Sequence, residues 1–322
     1  MATFLVTGGC GFIGSHLCAA LRARGDVVRV LDDLSTGLEA NLAPGATLIR
    51  GDVADPAAAG AAMEGVEGCF HLAAIASVER GVQDWLGTHR ANLTGTITLL
   101  DAAARRGGVP VVYASSAAVY GDAASPPLAE DAPTRPLSAY GADKLGCELH
   151  ARVAGAVHGV PTLGLRFFNV FGPRQDPRSP YSGVISVFCD RLSRGEAVQV
   201  FGDGAQTRDF VFVADVAAAL LAAMPAASAT APVLNVCTGR PTSVLELARE
   251  VASLCGGAPD LRHGPPRAGE IRHSLGSRAR GAAALGLPPP TGLREGLAEV
   301  VAWLRAGRPG LAGAGRRVSA SP

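Results

Sequence analysis

Residues 2–14 read ATFLVTGGCGFIG, in which a short apolar run leads into glycines that recur every third residue. The run is typical of a buried parallel strand, and a helical pattern over 15–24 follows it. Between strand and helix, Gly8 lets the chain turn, Gly11 allows a diphosphate to approach the backbone, and Gly14 allows close helix–strand packing. The free N–H groups at the start of the helix also favour an anion. We therefore predict a dinucleotide site at the beginning of an α/β fold.

The second predicted strand, Val27–Leu31, ends in two carboxylates, Asp32 and Asp33. A carboxylate at this place accepts hydrogen bonds from the adenosine ribose hydroxyls and repels a 2′-phosphate. No arginine directly follows Asp33 to receive such a phosphate. We therefore expect NAD rather than NADP, and the alternative for Asp32 is an ordinary turn residue.

Three more strands are predicted over Thr47–Arg50, Gly68–Ala74 and Val109–Ser116, with a helix over 84–106 after the second of them. A further strand over Val233–Gly239 is expected to rejoin the sheet. This alternation of strands and helices predicts a parallel sheet, and ligands of such sheets bind at the carboxyl ends of the strands.

Residues 138–144 read SAYGADK and place Tyr140 and Lys144 four apart, on one face of a predicted helix. A phenol is a poor base at neutral pH, but a neighbouring ammonium stabilises the phenolate, so the pair is a candidate proton-transfer device. Lys144 is the sole lysine among 29 basic residues, which favours this interpretation over an ordinary surface pair. Ser116, at the end of its strand, is expected either to hydrogen-bond a substrate hydroxyl or to cap a turn.

The predicted helix that carries Tyr140 begins at Ser138, which is expected to be its N-cap, and ends near His158. Leu145, Leu149 and Val153 follow one another at four-residue intervals along it. This spacing predicts that the three side chains form a stripe that faces the core.

The composition of the chain excludes several classes of function. The 322 residues carry a formal net charge of +1, so we expect neither a nucleic acid nor a membrane as partner. The seven cysteines are irregularly spaced and form no Cys-x-x-Cys pair, which predicts buried reduced thiols in a cytoplasmic protein. No signal peptide, membrane span or metal site is predicted, and the Gly-, Ala- and Arg-rich residues 307–322 are expected to form a disordered tail.

The segments TGGCGFIGSHL, LDDLSTG, GDV, HLAA, YASSAAVYG and YGADK resemble the extended short-chain dehydrogenase/reductase family, and within it the UDP-galactose type of nucleotide-sugar 4-epimerase. The resemblance covers about residues 3–305. It implies a Rossmann-type doubly wound parallel sheet with a smaller α/β C-terminal substrate domain, bound NAD, a UDP-sugar substrate and a homodimer. We expect an NAD-binding domain over 1–165, to which 205–240 return, and a substrate domain made of 166–204 and 241–306.

The resemblance also implies roles for individual residues, with Tyr140, Lys144 and Ser116 as the catalytic set. The expected cofactor-binding residues are Gly8, Gly11, Phe12, Ile13, Gly14, Asp32, Asp33, Ser35, Thr36, Gly37, Asp52, Val53, Leu72, Ala73, Ala74, Asn92, Ala114, Tyr140, Lys144 and Phe168. The expected substrate-binding residues are Ser77, Ser116, Tyr140, Asn169, Gly183, Val184, Val200, Phe201, Arg208, Arg267, Glu270 and Ser274.

The implied reaction is 4-epimerisation of a UDP-hexose through a transient 4-keto sugar. A 4,6-dehydratase is an alternative, but the family's dehydratases carry an acid just after the serines, where this chain has Ala117 and Ala118. An NAD-sensing regulatory protein is a further alternative, although such proteins tend to lose the Tyr/Lys pair. In the resembling epimerases the residue seven places after the diphosphate-binding arginine lies near the sugar C2 substituent. Here it is Ser274, which predicts tolerance of N-acetylhexosamines, unless it serves the carboxylate of UDP-glucuronate.

Overall fold

A computed structural model describes residues 1–123, 125–177, 183–266 and 271–307. In chain order its strands are β1 (Thr3–Thr7), β2 (Val27–Asp32), β3 (Thr47–Arg50), β4 (Gly68–His71), β5 (Val111–Ser116), β6 (Thr162–Phe167), β7 (Asn169–Phe171), β8 (Val198–Phe201), β9 (Thr207–Phe212), β10 (Val233–Val236), β11 (Pro241–Ser243) and β12 (Leu261–Gly264). Seven of them form one sheet in the order β10-β6-β5-β4-β1-β2-β3, and every pairing is parallel. The predicted Rossmann-type sheet is therefore confirmed. The strand order reverses between β1 and β4, where such sheets open a crevice for a ligand.

Helices cover both faces of this sheet. In chain order they are α1 (Phe12–Ala23), α2 (Pro56–Ala62), α3 (Val78–Gln83), α4 (Trp85–His89), α5 (Gly95–Arg105), α6 (Ala139–His158), α7 (Val184–Ser193), α8 (Val213–Ala223), α9 (Val244–Cys255), α10 (Ala279–Leu285) and α11 (Leu293–Arg305). On one face α1, α8 and α10 bury residues such as Leu17 and Leu220; on the other, α2, α5 and α6 bury Leu99 and Ala151. Strands covered on both faces are apolar throughout, as β1 is.

The C-terminal part of the chain builds a smaller α/β unit. There β7 pairs with β9 in parallel, β11 pairs with β9 in antiparallel, and β12 pairs with β8 in parallel. Helices α7, α9 and α11 pack on these strands around a separate core that includes Phe171, Phe188, Leu247 and Val300. This unit stands beside the carboxyl ends of the large sheet, because β7 follows β6 after a single residue.

The observed elements differ from the predicted ones mainly at their ends. Helix α1 begins at Phe12, directly after the glycine turn, and β4 ends at His71 rather than at Ala74. The helix predicted over 84–106 consists of α4, a π-helical turn at Arg90–Thr94, and α5. The carbonyl of Asn92 in that turn accepts a hydrogen bond from Thr96 Oγ1.

The predicted core-facing stripe of α6 is wrong. Leu149 and Val153 are 48% and 50% exposed, whereas Cys147 and Ala151 are buried against the sheet. Polar residues set the orientation of α6 about its axis, because the Lys144 side chain must point inward for its Nζ to reach the carbonyl of Ala114 in β5. A polar group that is held by specific partners has here overridden the apolar spacing.

Other predictions concern the chain as a whole. Six of the seven cysteines are buried thiols and Cys255 is half-buried, as predicted. Within the described ranges, no helix has the length and apolar character that crossing a membrane would require. The predicted tail lies, from residue 308 onward, outside the described residues.

Candidate active site

A cleft of about 670 Å³ lies at the carboxyl ends of the central strands, at the point where the strand order reverses. Most of the residues predicted from the sequence line it. They are Gly8, Gly11, Phe12, Ile13, Gly14, Asp32, Asp33, Ser35, Thr36, Gly37, Asp52, Val53, Leu72, Ala73, Ala74, Ser77, Ala114, Ser116, Tyr140, Lys144, Phe168, Asn169 and Gly183. The cleft therefore unites segments that are up to 175 residues apart, from Gly8 to Gly183.

The turn after β1 forms a cradle that only glycine can build. Gly8 has φ +70°, and a Cβ there would lie 2.7 Å from the backbone nitrogen of Ala73. A Cβ on Gly14 would lie 2.2 Å from the carbonyl oxygen of Gly8. Gly11 is the N-cap of α1 and offers no side chain to the first N–H groups of the helix, and the first turn contains no acidic residue. The start of α1 is thus open to an anion, as a diphosphate site requires.

Asp32 is held rigidly at the end of β2. Its Oδ2 accepts a hydrogen bond from the Cys10 backbone N–H at 2.9 Å, and its Oδ1 accepts one from the Leu34 N–H at 2.9 Å. Burial raises the pKa of the Asp32 carboxyl, while these two backbone donors oppose the rise. Gly37 passes so close that a Cβ there would lie 2.9 Å from Asp32 Oδ1. A fixed carboxylate with acceptor capacity left over suits the vicinal hydroxyls of a ribose.

A buried hydrogen-bond chain supports the floor of the cleft beneath β4. Thr7 Oγ1 accepts from the backbone N–H groups of Leu72 and Ala73, so its own proton goes to His71 Nδ1, 2.7 Å away. His71 Nε2 then donates to Thr96 Oγ1 at 3.0 Å. Burial, with the nearby charge of Lys144 as the second cause, lowers the pKa of His71 to about 3. The ring is therefore neutral and orders the segment that follows β4.

Asn92, a predicted cofactor-binding residue, lies one layer behind the wall of the cleft. Its Oδ1 accepts from the Ile75 N–H at 2.8 Å and its Nδ2 donates to the Ile75 carbonyl at 3.2 Å. The side chain is buried and is not part of the lining. Asn92 thus holds the backbone of Ile75, which does line the cleft.

Tyr140, Lys144 and Ser116 meet in the cleft. The N-cap of α6 is Ser138, whose Oγ accepts from the Gly141 N–H at 3.1 Å, so Tyr140 lies in the first turn. Lys144 is 3% exposed; its Nζ donates to the carbonyl of Ala114 at 2.8 Å and lies 5.9 Å from the centre of the Tyr140 ring. The structure thus places an ammonium beside the phenol of Tyr140.

Ser116 caps a turn, which is one of the two roles predicted for it from the sequence. Its Oγ accepts a hydrogen bond from the Ala118 N–H at 3.1 Å and so caps the short 3₁₀ helix Ala117–Tyr120. The same hydroxyl lines the cleft beside Tyr140. Because the capping bond uses a lone pair, the proton of the hydroxyl remains available for donation.

A buried ionic network lies behind these three residues. The Arg166 guanidinium forms a bidentate pair with Glu148, with distances of 2.8 and 2.7 Å, and its Nη1 donates to Tyr120 Oη at 2.8 Å. Ser115 Oγ donates to the same Glu148 carboxylate. Glu148 is one turn beyond Lys144 on α6, and Ser115 precedes Ser116 on β5. The network therefore fixes α6, β5 and β6 relative to one another at the level of the candidate catalytic residues.

Several predicted substrate residues are not part of the lining. These are Val184, Val200, Phe201, Arg208 and Ser274, all in the C-terminal unit, while Arg267 and Glu270 lie outside the described residues. Two of them are neighbours, because the N–H of Ser274 donates to the Thr207 carbonyl at 3.1 Å and Arg208 Nη1 donates to the same oxygen at 2.9 Å.

The cleft also contains residues that the sequence analysis did not single out: Arg80, Arg90, Arg174, Gln175 and Asp176. Arg90 pairs with Asp52 across the adenosine end. Arg174 lies in the loop that follows β7. The sequence does not distinguish Arg174 from the other 27 arginines, so only the tertiary structure could place it in the cleft.

These features fit an NAD molecule. The glycine cradle and the open start of α1 suit its diphosphate, and Asp32 suits its adenosine ribose. The lining then continues without interruption to Ser116, Tyr140 and Lys144, where a nicotinamide would meet a substrate.

Comparison with known proteins agrees with this assignment. Residues 4–237 match the "NAD dependent epimerase/dehydratase family". The chain is 38% identical over 309 residues to the UDP-glucose 4-epimerase of Mycolicibacterium smegmatis. The aligned region covers 94% of this chain and 98% of that protein. The fold is similar to that of the UDP-glucose 4-epimerase of Thermotoga maritima, crystallised with UDP-glucose, with a TM-score of 0.91 at 34% identity over 95% of this chain and 99% of that one.

A second solved structure is also similar. It is the UDP-N-acetylglucosamine 4-epimerase of Methanobrevibacter ruminantium, in complex with UDP-N-acetylmuramic acid, with a TM-score of 0.89 at 33% identity over 95% of this chain and 99% of that one. Since the family match spans well over half of the residues and the relatives match nearly end to end, the chain belongs to the NAD dependent epimerase/dehydratase family, and its cofactor is NAD.

Proposed function

We propose that this protein is a UDP-hexose 4-epimerase that acts through a transient 4-keto sugar. The observation that carries the proposal is the meeting of Tyr140, Lys144 and Ser116 in the NAD cleft. The end-to-end similarity to UDP-sugar 4-epimerases supports the substrate class.

The proton chemistry falls to three side chains. Tyr140, as the phenolate, removes the proton from the sugar 4-hydroxyl and later returns a proton to the 4-keto oxygen. Lys144 stabilises the phenolate by its charge and is itself held by the carbonyl of Ala114. Ser116 donates a hydrogen bond to the same sugar oxygen. NAD, held by the glycine turn and Asp32, would supply the acceptor and the donor for the hydride of C4.

Inversion at C4 requires that the nucleotide stay fixed while the hexose turns. We assign the nucleotide contacts to the C-terminal unit, with Asn169 and Gly183 in the cleft and Arg208 and Arg267 as the cations for the diphosphate. Val184, Val200, Phe201 and Glu270 complete the expected nucleotide site. No strong contact is assigned to the hexose ring other than those at its 4-oxygen, which leaves the ring free to rotate.

The residues directly after Ser116 argue against the alternative function, a 4,6-dehydratase. Ala117 and Ala118 follow Ser116 in the 3₁₀ helix, and neither can move a proton. The carboxylates that line the cleft come from other segments, such as Asp84 and Asp176. The protein therefore has no acid directly after β5 that could drive loss of the 6-hydroxyl from a 4-keto sugar formed beside Tyr140.

We further propose that the sugar range includes the N-acetylhexosamine pair, because the resemblance assigns Ser274, a small residue, to the position where a bulky aromatic side chain would close the sugar pocket. Ser274 is half-buried beside Thr207. The similarity to an epimerase of UDP-N-acetylglucosamine supports this extension. UDP-glucuronate remains the alternative substrate, in which case Ser274 would contact the C6 carboxylate.

We also propose that the protein forms a homodimer through α5 and α6. These helices pack side by side; α6 exposes Leu149, Val153 and Val157 at four-residue intervals, and α5 exposes Ile97. An exposed apolar patch on paired helices is typical of an interface, and a second copy provides a self-complementary partner. The net charge of +1 opposes such self-association only weakly.

The reaction is tested by incubating the purified protein with UDP-glucose without added NAD and recording proton NMR spectra. UDP-galactose should form and approach an equilibrium mixture with no net oxidation. Accumulation of a 4-keto-6-deoxy sugar would indicate the dehydratase instead. Absence of turnover across UDP-glucose, UDP-N-acetylglucosamine and UDP-glucuronate, in protein that contains NAD, would contradict the proposal.

A further inference from the structure

The loop after β7 is fastened across the beginning of α1. A Cβ on Gly172 would lie 3.5 Å from the Phe12 ring, so the backbone there runs against the first turn of the helix. The next carbonyl, that of Pro173, accepts a hydrogen bond from His16 Nε2 at 2.9 Å. The following residue, Arg174, is therefore held beside the N-terminal half of α1, 160 residues away in the sequence from Gly14.

Arg174 combines two unfavourable features that no group of the described chain relieves. Its φ is +68°, a left-handed conformation that a side chain with a Cβ adopts at a cost. Its Nη1 is shielded from solvent and has no hydrogen-bond partner. The residue as a whole is half-buried, but an arginine keeps its charge, and a shielded part of a charged group without a partner destabilises a protein. A residue that is strained in its backbone and unpaired in its side chain indicates a missing anionic partner.

The position of Arg174 identifies the anion. The guanidinium is near enough to α1 that its charge adds to the effect of burial in lowering the pKa of His16. It lines the cleft together with Gly11 and Phe12, whose N–H groups begin the helix without an acid or a side-chain cap. Helix N–H groups and a planar guanidinium fork that face one space suit a diphosphate. An NAD molecule bound to the glycine turn would place its diphosphate at this end of α1.

We propose that Arg174 binds the diphosphate of NAD and that its left-handed backbone is maintained to aim the guanidinium at the start of α1. The cradle then has two sides: the glycine turn after β1 supplies backbone donors, and the loop after β7 supplies the charge. This assignment rests on the cofactor and not on the identity of the sugar.

Arg174→Gly tests the two features by two different measurements. Glycine adopts φ +68° without strain, which affects stability, and it lacks the guanidinium, which affects NAD binding. The expected result is that the melting temperature of NAD-free protein stays the same or rises, while NAD binds about 10–100-fold more weakly, as loss of a charged hydrogen bond implies. The amount of NAD per chain in the purified protein should fall accordingly. ADP-ribose should lose affinity as NAD does, and adenosine, which has no phosphate, should not.

Arg80→Ala is the matched control, because it removes the same charge from the same cleft at an ordinary helical position. It should change the affinity for NAD less than 3-fold. Equal losses for Arg80→Ala and Arg174→Gly would reduce the effect to general electrostatics and overturn the proposal. So would unchanged NAD affinity in Arg174→Gly, or an equal loss for adenosine.

A second variant covers a failure of Arg174→Gly to fold. Arg174→Gln retains an unbranched polar side chain with a Cβ but removes the charge. It should weaken NAD binding by a similar factor without changing the affinity for adenosine. If Arg174→Gln binds NAD as the wild type does, the guanidinium has no role in holding the diphosphate.

Discussion

The two halves of the cleft are built in different ways. The cofactor half, residues 8–144, consists of backbone turns and side chains at the ends of parallel strands, and nearly every residue predicted there lines the cleft. The sugar half, from 169 onward, depends on loops of the C-terminal unit. Of its predicted residues that the structure describes, only Asn169 and Gly183 line the cleft. Carboxyl ends of parallel strands fall on one edge by geometry, so short motifs suffice to build the first half. The second half requires a separate unit to be placed correctly.

The largest effect is expected where the two halves meet, at Tyr140. Tyr140→Phe removes the base and should lower kcat by at least the ~10²–10⁴-fold typical of general acid–base catalysis. Turnover of UDP-glucose by NMR measures the loss, and the NAD content of the variant should remain that of the wild type. A variant that keeps kcat within a few-fold would show that Tyr140 is not the base.

Lys144→Arg tests the same place with the charge retained. A guanidinium is planar and bulkier than an ammonium, so it cannot both bond the Ala114 carbonyl and lie beside the Tyr140 ring in the same way. We expect severe impairment of kcat. Wild-type turnover in this variant would mean that charge alone is sufficient.

The next largest effect is expected in the buried Glu148–Arg166 pair, which lies behind the candidate catalytic residues. Glu148→Leu leaves the Arg166 guanidinium buried and unpaired and should destabilise the fold by about 3–5 kcal/mol. The double variant with Arg166→Met removes both charges and should be more stable than Glu148→Leu alone. Urea unfolding of the wild type, the two single variants Glu148→Leu and Arg166→Met, and the double variant gives the coupling energy. If the destabilisations of the two single variants simply add, the pair does not act as a unit.

In the cofactor half, Asp32 should determine the choice between NAD and NADP. Asp32→Ala removes the acceptor for the ribose hydroxyls and should weaken NAD binding about 10–100-fold, as loss of a charged hydrogen bond implies. It should also reduce the discrimination against NADP. Mass spectrometry of the cofactor released from wild-type protein should give NAD. Predominant NADP in that measurement would contradict the role of Asp32.

In the sugar half, the effect is expected for one class of substrate alone, because only the size of a pocket is at stake. Ser274→Tyr should lower kcat/KM for the N-acetylated UDP-sugars by about 10–200-fold and leave UDP-glucose and UDP-galactose within a few-fold. Ser274 either leaves room for an N-acetyl group or contacts the C6 carboxylate of UDP-glucuronate. These two roles are distinguished by measuring kcat/KM of the wild type and the variant on the plain hexose, the N-acetylhexosamine and the glucuronate pairs. No turnover of the N-acetylated pair by the wild type would refute the pocket argument.

The smallest effect on chemistry is expected at the outer face of α6, far from both halves. Leu149→Glu should convert a dimer into a monomer, as measured by light scattering, because it places a charge in an apolar contact. Val82→Glu is the control, since Val82 is 82% exposed on α3. A monomeric wild type, or equal dissociation of both variants, would show that α6 is not the interface.

Helix α6 shows how far local pattern could be trusted. Its limits and its Ser138 cap were predictable, because capping chemistry is local. Its orientation was not, because Leu145, Leu149 and Val153 formed a better apolar stripe than the face that is buried. The inward face carries Lys144 and Glu148, whose partners come from β5 and β6. Partners so distant in sequence cannot be inferred from spacing along the helix.

The sequence by itself determined the parallel sheet, the glycine turn, the carboxylate at the end of β2 and the Tyr140/Lys144 pair. These features are encoded by residues a few positions apart, and the chirality and spacing of strands then bring them to one edge. Only the tertiary structure decided which face of α6 is buried, that Asn92 lies behind the wall, and that Arg174 stands over the start of α1. Each of these depends on a contact between residues that are distant in the chain, and burial of a polar group against such a partner outweighs the local preference.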